Sequence, residues 1–432
     1  MGRGKAMLKK ETADAYISIL REELVPATGC TEPIALAYCA ARLREVLGEA
    51  PERVEARVSG NIIKNVKSVI VPNTGGRKGI RAAVAAGIVA GDPGLRLQVI
   101  ACVPEDRHKD IGRYMESTPI DIICADTPRL LDICLTGWAG GHRALVQIAD
   151  SHSNIVREEL DGRVLLEKAD SGSLEDGTAG RGFMRVEDII EFADTVDLSG
   201  IECLLEQQAD CNTAIAREGI KGDWGANIGS VLLNDYPQDI KNEAKAWAAA
   251  GSDARMSGCE LPVVILSGSG NQGITASVPV VRYAEHYGLD REKLYRSLLV
   301  SDLVTIQQKS GIGRLSAYCG AVSAGVGAGA GIAYMLDGSF TAVAHTIVNA
   351  VAIISGTICD GAKPSCAAKI AASVDAGILG YHMYKSSQEF KSGDGIVTRT
   401  VDETIANVGV LAKEGMRETD RKILEIMTKR CD

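Results

Sequence analysis

Thirteen residues from Gly320 to Ile332, Gly-Ala-Val-Ser-Ala-Gly-Val-Gly-Ala-Gly-Ala-Gly-Ile, restrict the fold more than any other part of the chain. A helix built from this run loses roughly 1 kcal/mol at each glycine relative to alanine, so something must compensate. Close approach of its backbone to neighbouring elements, or to a cofactor, is the natural compensation, because larger side chains would hold those surfaces apart. A tightly packed helix pair without chemistry fits the pattern equally well. The wider apolar region, Cys319 to Cys359, is interrupted by Asp337, His345 and Asn349. Each half therefore falls short of a membrane span of roughly 20 residues and reads as buried helix.

The chain of 432 residues is long enough for two or three domains around a substantial core, with 46% apolar and 24% charged residues. Its net charge of -9 comes from interspersed acids and bases, which offers no footprint for a phosphate backbone or anionic lipid. Nucleic acid and membrane are thus not expected as partners. The basic stretch Met1 to Lys10 gives way to Glu11 and Asp14 where a secretory signal needs an apolar core, so a cytoplasmic location is expected. Twelve cysteines are scattered without the dense spacing of a disulfide scaffold. This points to a reducing compartment, in which most cysteines are small buried hydrophobes.

Apolar periodicity predicts a helix over residues 11–24 that breaks at Pro26 and Gly29, and a second from Pro33 to Leu47 with its proline in the first turn. Val54 to Asn61 alternates like a half-buried strand, Lys67 to Val71 continues as extended chain, and Gly79 to Ala90 reads as helix. Leu95 to Val103 reads as a strand, and Ala144 to Ala149, Ile155 to Glu159 and Val164 to Lys168 as a meander joined by tight turns. After Val186 the pattern is helical to the end. The expected fold class is α+β: a mainly helical body (1–94 and 186–432) with an inserted small mixed α/β module (95–185).

Three late cysteines stand out as candidate ligands: Cys319 ahead of the glycine-rich run, then Cys359 and Cys366 on either side of a loop with Asp360, Gly361 and Pro364. Thiolates are the ligands soft iron prefers, and three of them leave one position of a four-iron cluster open. The spacing lacks the tight Cys-x-x-Cys of ferredoxins, so buried structural cysteines remain an alternative. A zinc site is the weaker rival, since no histidine has finger-like spacing. Cys30, in Thr-Gly-Cys-Thr-Glu-Pro, precedes a helix amino terminus, where the macrodipole favours a thiolate. It is open to roles as base, nucleophile, ligand or packed cap residue.

Two polar loops, Ser59-Gly-Asn-Ile-Ile-Lys-Asn and Ser267-Gly-Ser-Gly-Asn-Gln-Gly, offer amides and N–H groups to a carboxylate or zwitterion. Asn73, Thr74 and Lys78 belong either to that pocket or to an ordinary turn. The second loop does not match the dinucleotide fingerprint, and no phosphate loop occurs.

These two loops, with Thr-Gly-Cys-Thr-Glu-Pro (28–33) and Ile-Cys-Asp-Gly-Ala-Lys (358–363), together resemble the L-cysteine desulfidase family, which is related to the alpha chain of iron-sulfur L-serine dehydratases. The resemblance covers nearly the whole chain, in order. It implies a 4Fe-4S cluster on Cys319, Cys359 and Cys366, with Cys30 as active-site base. The implied reaction is elimination of hydrogen sulfide from L-cysteine without pyridoxal phosphate. The chain lacks the serine- and histidine-containing stretch that the dehydratases share in the first motif, which makes serine the less favoured substrate. Asn61, Asn65, Ser269, Asn271 and Gln272 are the expected recognition groups for carboxylate and amine, and Lys363 and Asp360 either tune the cluster or pair with each other. The rival readings are a dehydratase of L-serine or another hydroxy amino acid, and a non-catalytic amino-acid-binding iron-sulfur sensor. A homodimer is the default assembly.

Overall fold

The structure is a computed structural model that describes residues 8–168, 180–313 and 315–428. Helix α1 (Lys10–Glu23) leads through strand β1 (Val25–Thr28) into α2 (Thr31–Leu47). Gly48 ends α2 in the left-handed region at φ 87°, where a Cβ would be strained. Strand β2 (Arg53–Val58) runs straight into the short helix α3 (Gly60–Val66), followed by α4 (Gly79–Ala90) and α5 (Arg107–Ser117). Five more strands come next: β3 (Ile120–Cys124), β4 (Asp132–Ala139), β5 (His142–Ala149), β6 (Ile155–Leu160) and β7 (Arg163–Glu167).

From residue 186 the described chain is helical except for one strand. Helices α6 (Val186–Thr195), α7 (Glu202–Lys221), α8 (Ile228–Asp235) and α9 (Ile240–Met256) precede β8 (Pro262–Ile265). Then come α10 (Gly270–Tyr287), α11 (Arg291–Ile312), α12 (Gly320–Leu336) and α13 (Phe340–Ile354). The chain closes with α14 (Cys366–Lys385), α15 (Val401–Val410) and α16 (Arg417–Thr428). Among the described residues no helix is long and apolar enough to cross a membrane.

The main sheet has the order β3-β2-β4-β5-β6-β7, with β2 and β3 parallel and every other pair antiparallel. The expected meander is present as β5 to β7. The sheet also reaches outside 95–185, because β2 lies second from its edge. Helix α2 covers one face, where Cys39 Sγ meets the Val146 carbonyl at 3.4 Å and Arg42 pairs with Glu158 at 2.6 Å. A separate antiparallel pair, β1 with β8, ties the first motif to the helical body.

Two local expectations are overturned and a third holds only in part. Leu95 to Val103 is not a strand: residues 93–98 form a 3-10 turn, nucleated by Asp92 Oδ1 accepting from Gly94 N, and Arg96 turns the chain at φ 48°. The carbonyls of Ile100 and Ala101 are met by the Asn73 side chain instead of a strand partner. Lys67 to Val71 makes only one bridge, Ile70 to Lys78. Ser59 to Asn65 is mostly helix α3 rather than loop.

The glycine-rich run forms α12, and its glycines face two partners. A Cβ on Gly325 would lie 2.4 Å from the Ser373 backbone, and one on Gly329 would lie 2.6 Å from Gly377 Cα. Both partners sit on α14, and the register advances by four residues on each helix, so α12 and α14 run parallel with their amino ends together. On the opposite face, Gly327 meets Ser301 and Thr305 while Gly331 meets Ser297 and Ser301, so α11 runs antiparallel. Side chains larger than hydrogen would prise these backbones apart. The compensation the sequence demanded is thus close helix packing. Its consequence is positional: Cys319 caps α12 and Cys366 opens α14 at the same end of the pair.

Candidate active site

The amino ends of α2, α10, α12 and α14 converge on one cavity of ≈ 100 Å³, with Cys30, Ser269 and Cys319 as cap residues and Cys366 as the first residue of its helix. Unpaired N–H groups and helix dipoles make the wall electropositive, and Lys64, Arg255 and Lys309 add cationic side chains. Anionic groups are therefore favoured inside it. Nine residues singled out from the sequence line this cavity: Cys30, Asn61, Asn65, Ser269, Asn271, Gln272, Cys319, Cys359 and Cys366.

Cys319 and Cys359 are brought together by a short antiparallel strip. Tyr318 bridges Ile358, Cys319 N donates to Thr357 O at 3.0 Å, and Cys359 N donates to Ala317 O at 2.6 Å. The two thiols share a hydrogen bond, which lowers Cys359 below the usual thiol range with help from Lys64 and Lys369, and raises Cys319. Burial raises Cys366. Lys363 and Lys369 both pair with Asp360, and although burial opposes its charge, their hydrogen bonds pull that carboxyl down to about 2. Of the two roles expected for Lys363 and Asp360, the structure shows the pairing.

Three cysteines on one wall supply the soft donor set of an iron-sulfur cluster, with no fourth protein thiol among the described residues competing beyond Cys30. Among the described residues, no three His, Cys, Asp or Glu groups are arranged to hold a single metal ion. A cluster makes a different demand, because its cysteines bind separate irons. The donor chemistry fits the cluster.

Cys30 departs from the sequence-based expectation. The helix terminus was expected to favour its thiolate, yet burial and the neighbouring Glu32 raise it well above the usual thiol range, against a smaller opposing influence of Arg255. The thiol donates to Glu32 Oε2 at 3.3 Å. Burial resists ionisation of Glu32 as well, but His152 and the Cys30 thiol hold it down to about 2. His152 Nε2 lies 3.9 Å from Glu32 Oε1, and Thr31 Oγ1 and Asn65 Nδ2 donate to the carboxylate at 3.1 and 2.9 Å. The resting pair is therefore a thiol on a carboxylate. Sequence reasoning missed Glu32, although it stands inside the quoted motif two residues after Cys30.

The other expected residues are held as follows. Asn61 Nδ2 donates to Asp420 Oδ2 at 3.4 Å, and Lys64, its side chain 1% exposed, pairs with Asp420 Oδ1 at 2.7 Å, so α16 clasps α3 from outside. Asn271 Oδ1 accepts from Arg255 Nη1 at 3.0 Å. Gln272 lies under Gly320, where a Cβ would fall 2.6 Å from its amide carbon. The one hydrogen of the Thr31 hydroxyl is shared between Glu32 Oε2 and Gly268 O, which lies 3.0 Å away, and this contact joins the starts of α2 and α10. Asn73, Thr74 and Lys78 do not line the cavity; Asn73 and Thr74 hold a turn, with Thr74 Oγ1 donating to Val71 O at 2.7 Å. Lys64, Arg255, Lys309 and Tyr318 were not anticipated, and no motif marks Arg255 at the end of the alanine-rich α9.

The helix amino ends of this α+β chain thus gather four cysteines around one cavity, and the family to which its sequence belongs is one of dehydratase-type lyases. Residues 96–425 match the family model described as "Serine dehydratase alpha chain", and the chain belongs to that family. The kinship drawn from the four motifs therefore holds. The chain is 55% identical over 416 residues to the UPF0597 protein of Desulfitobacterium hafniense (strain Y51), spanning 96% of this chain and 97% of that one. It is 47% identical over 411 residues to a UPF0597 protein of Lachnoclostridium phytofermentans, spanning 95% and 98%. A third UPF0597 protein, from Finegoldia magna, is 46% identical over 417 residues, spanning 96% and 99%.

Proposed function

We propose that the protein is an iron-sulfur lyase that eliminates hydrogen sulfide from L-cysteine to give pyruvate and ammonia, without pyridoxal phosphate. The observation that carries this reading is the shared cavity: a thiol-carboxylate pair, Cys30 and Glu32, faces the wall formed by Cys319, Cys359 and Cys366. A 4Fe-4S cluster on those three cysteines would supply an open iron as Lewis acid toward the substrate's leaving sulfur.

The chain's own residues handle the proton. Cys30 and Glu32 act as one base: the substrate α-proton passes to Cys30 Sγ as the thiol proton moves to Glu32 Oε2. The electron pair of the broken Cα–H bond forms the Cα–Cβ double bond, and the Cβ–S pair departs with sulfur. The aminoacrylate so released becomes an imine, and water converts it to pyruvate and ammonia. Asn65 steadies Glu32 through its 2.9 Å hydrogen bond, while Asn61, Ser269, Asn271 and Gln272 present polar groups to the substrate's carboxylate and amine.

L-serine dehydration is the second reading, favoured by the description of the matching family. Anaerobically prepared protein separates the two. Sulfide and pyruvate from L-cysteine, at a kcat/KM at least tenfold above that for L-serine, support desulfidation; the reverse ratio assigns the protein to serine. We place the reaction in the cytoplasm, with a small amino acid as ligand and a homodimer as the assembly.

A further inference from the structure

Arg255 is 2% exposed and lies against the cavity. Its Nε donates to Gly29 O at 3.1 Å and its Nη1 to Asn271 Oδ1 at 3.0 Å, so both partners are neutral acceptors. Nη2 is buried and has no hydrogen-bond partner among the described residues. A buried cation with a neutral shell and an unmet N–H is costly unless an anion completes it.

The start of α10 is shaped around this guanidinium. A Cβ on Gly270 would fall 2.3 Å from Arg255 Nε and 2.7 Å from Cζ, so glycine there lets the helix start pack against it. The fork is thereby fixed by two hydrogen bonds and a packed face, with its remaining nitrogen unengaged. Two further polar atoms from residues of the same cavity wall, Asn61 Oδ1 and Gln272 Oε1, are buried without partners and are acceptors.

We infer that Arg255 is the carboxylate anchor of the site, and that Asn61 Oδ1 and Gln272 Oε1 receive the ammonium of the same ligand. The inference rests on the amino-acid-lyase reading and narrows it: the ligand class is a free α-amino acid with an ionised carboxylate. The unengaged Nη2 and the second N–H of Nη1 beside it form the guanidinium edge left to meet a carboxylate with paired donors, which a lysine ammonium cannot reproduce. Because Arg255 Nε holds the carbonyl of Gly29, the residue before Cys30, the anchored carboxylate sets the substrate's Cα beside the Cys30 thiol. Amines without a carboxylate, and amino-acid esters, are excluded as good ligands.

The test is calorimetric binding to the anaerobically prepared full chain, with L-alanine as a ligand that has both groups but nothing to eliminate, and ethylamine as its decarboxylated counterpart. Wild-type protein should bind L-alanine at least tenfold more tightly than ethylamine, a comparison that needs no substitution. Arg255→Gln should weaken L-alanine at least tenfold and leave ethylamine unchanged, with Arg255→Lys between the two. Equal binding of the two ligands by wild type, no binding of L-alanine, or unaltered L-alanine affinity in a folded Arg255→Gln protein would overturn the assignment. Sulfide release from L-cysteine is scored separately. Alanine preference without sulfide release leaves Arg255 assigned and removes the desulfidase reading, whereas sulfide release with an indifferent Arg255→Gln protein does the opposite.

Discussion

Cys30 donates to Glu32 through a buried hydrogen bond, and burial together with that carboxylate pushes the thiol up while the thiol helps hold the carboxyl down. Burial and Glu32 hold the proton on sulfur, so Cys30 can act as a base only by passing that proton to Glu32 as it takes another. Glu32→Gln keeps the shape but replaces the carboxylate with an amide that cannot take up the proton, and should lower kcat for sulfide release by roughly 10²–10⁴-fold with iron content unchanged. Equal turnover in a steady-state assay would show that the thiol works alone. At this scale the cysteines were legible because their residue type is uncommon and their motifs are compact. The charge state of Cys30 was not legible, because a helix-terminus argument cannot weigh burial. Arg255 was invisible for a different reason: its meaning comes from Gly29, Gly270 and Asn271, which meet it only in the fold.

Helix α12 owes its place to glycines, and the parallel seam with α14 is what draws Cys319 and Cys366 to one end. Gly329→Val would force a branched side chain into a backbone contact and should cost about 1–3 kcal/mol, read as a lower Tm together with reduced iron retention. An unchanged iron content would separate the seam from the site. Helix α11, on the other face, buries Asp302 completely; Gln208 donates to its Oδ1 at 2.9 Å and its Oδ2 has no partner among the described residues. Burial raises this carboxyl from 3.8 to about 7. The folded state then binds a proton the unfolded chain has released, so the stabilisation is complete below pH 3.8 and lost as pH rises through about 7. The slope approaches about 1.4 kcal/mol per pH unit within that window. Asp302→Asn should therefore flatten the fall in Tm between pH 5 and 8, and parallel curves would contradict it. Helix α1 was readable from its apolar spacing, and α2 from its first-turn proline and its richness in alanine and leucine. Leu95 to Val103 was misread because alternation of apolar residues cannot reveal that Asn73 takes the carbonyls of Ile100 and Ala101.

At the scale of the molecule, the first hundred residues serve two structures at once. Helix α2 lies on the sheet along its length and delivers Cys30 to the cavity at its start. Strand β2 pairs within the sheet and passes directly into α3, which carries Asn61, Lys64 and Asn65 to the same cavity. The mixed α+β character was legible from the change in periodicity near residue 186, while the reach of the sheet back to β2 depends on long-range pairing that no local pattern records. The central claim is that Cys319, Cys359 and Cys366 hold one cluster while Cys30 stays free for chemistry. Iron analysis and visible absorption after anaerobic reconstitution test it directly. Wild type and Cys30→Ser should each take up ~4 irons per chain, and Cys319→Ser, Cys359→Ser and Cys366→Ser should each lose most of that iron and the accompanying brown colour. A colourless wild type, or a Cys30→Ser protein that loses its iron while the other three keep theirs, would contradict the account.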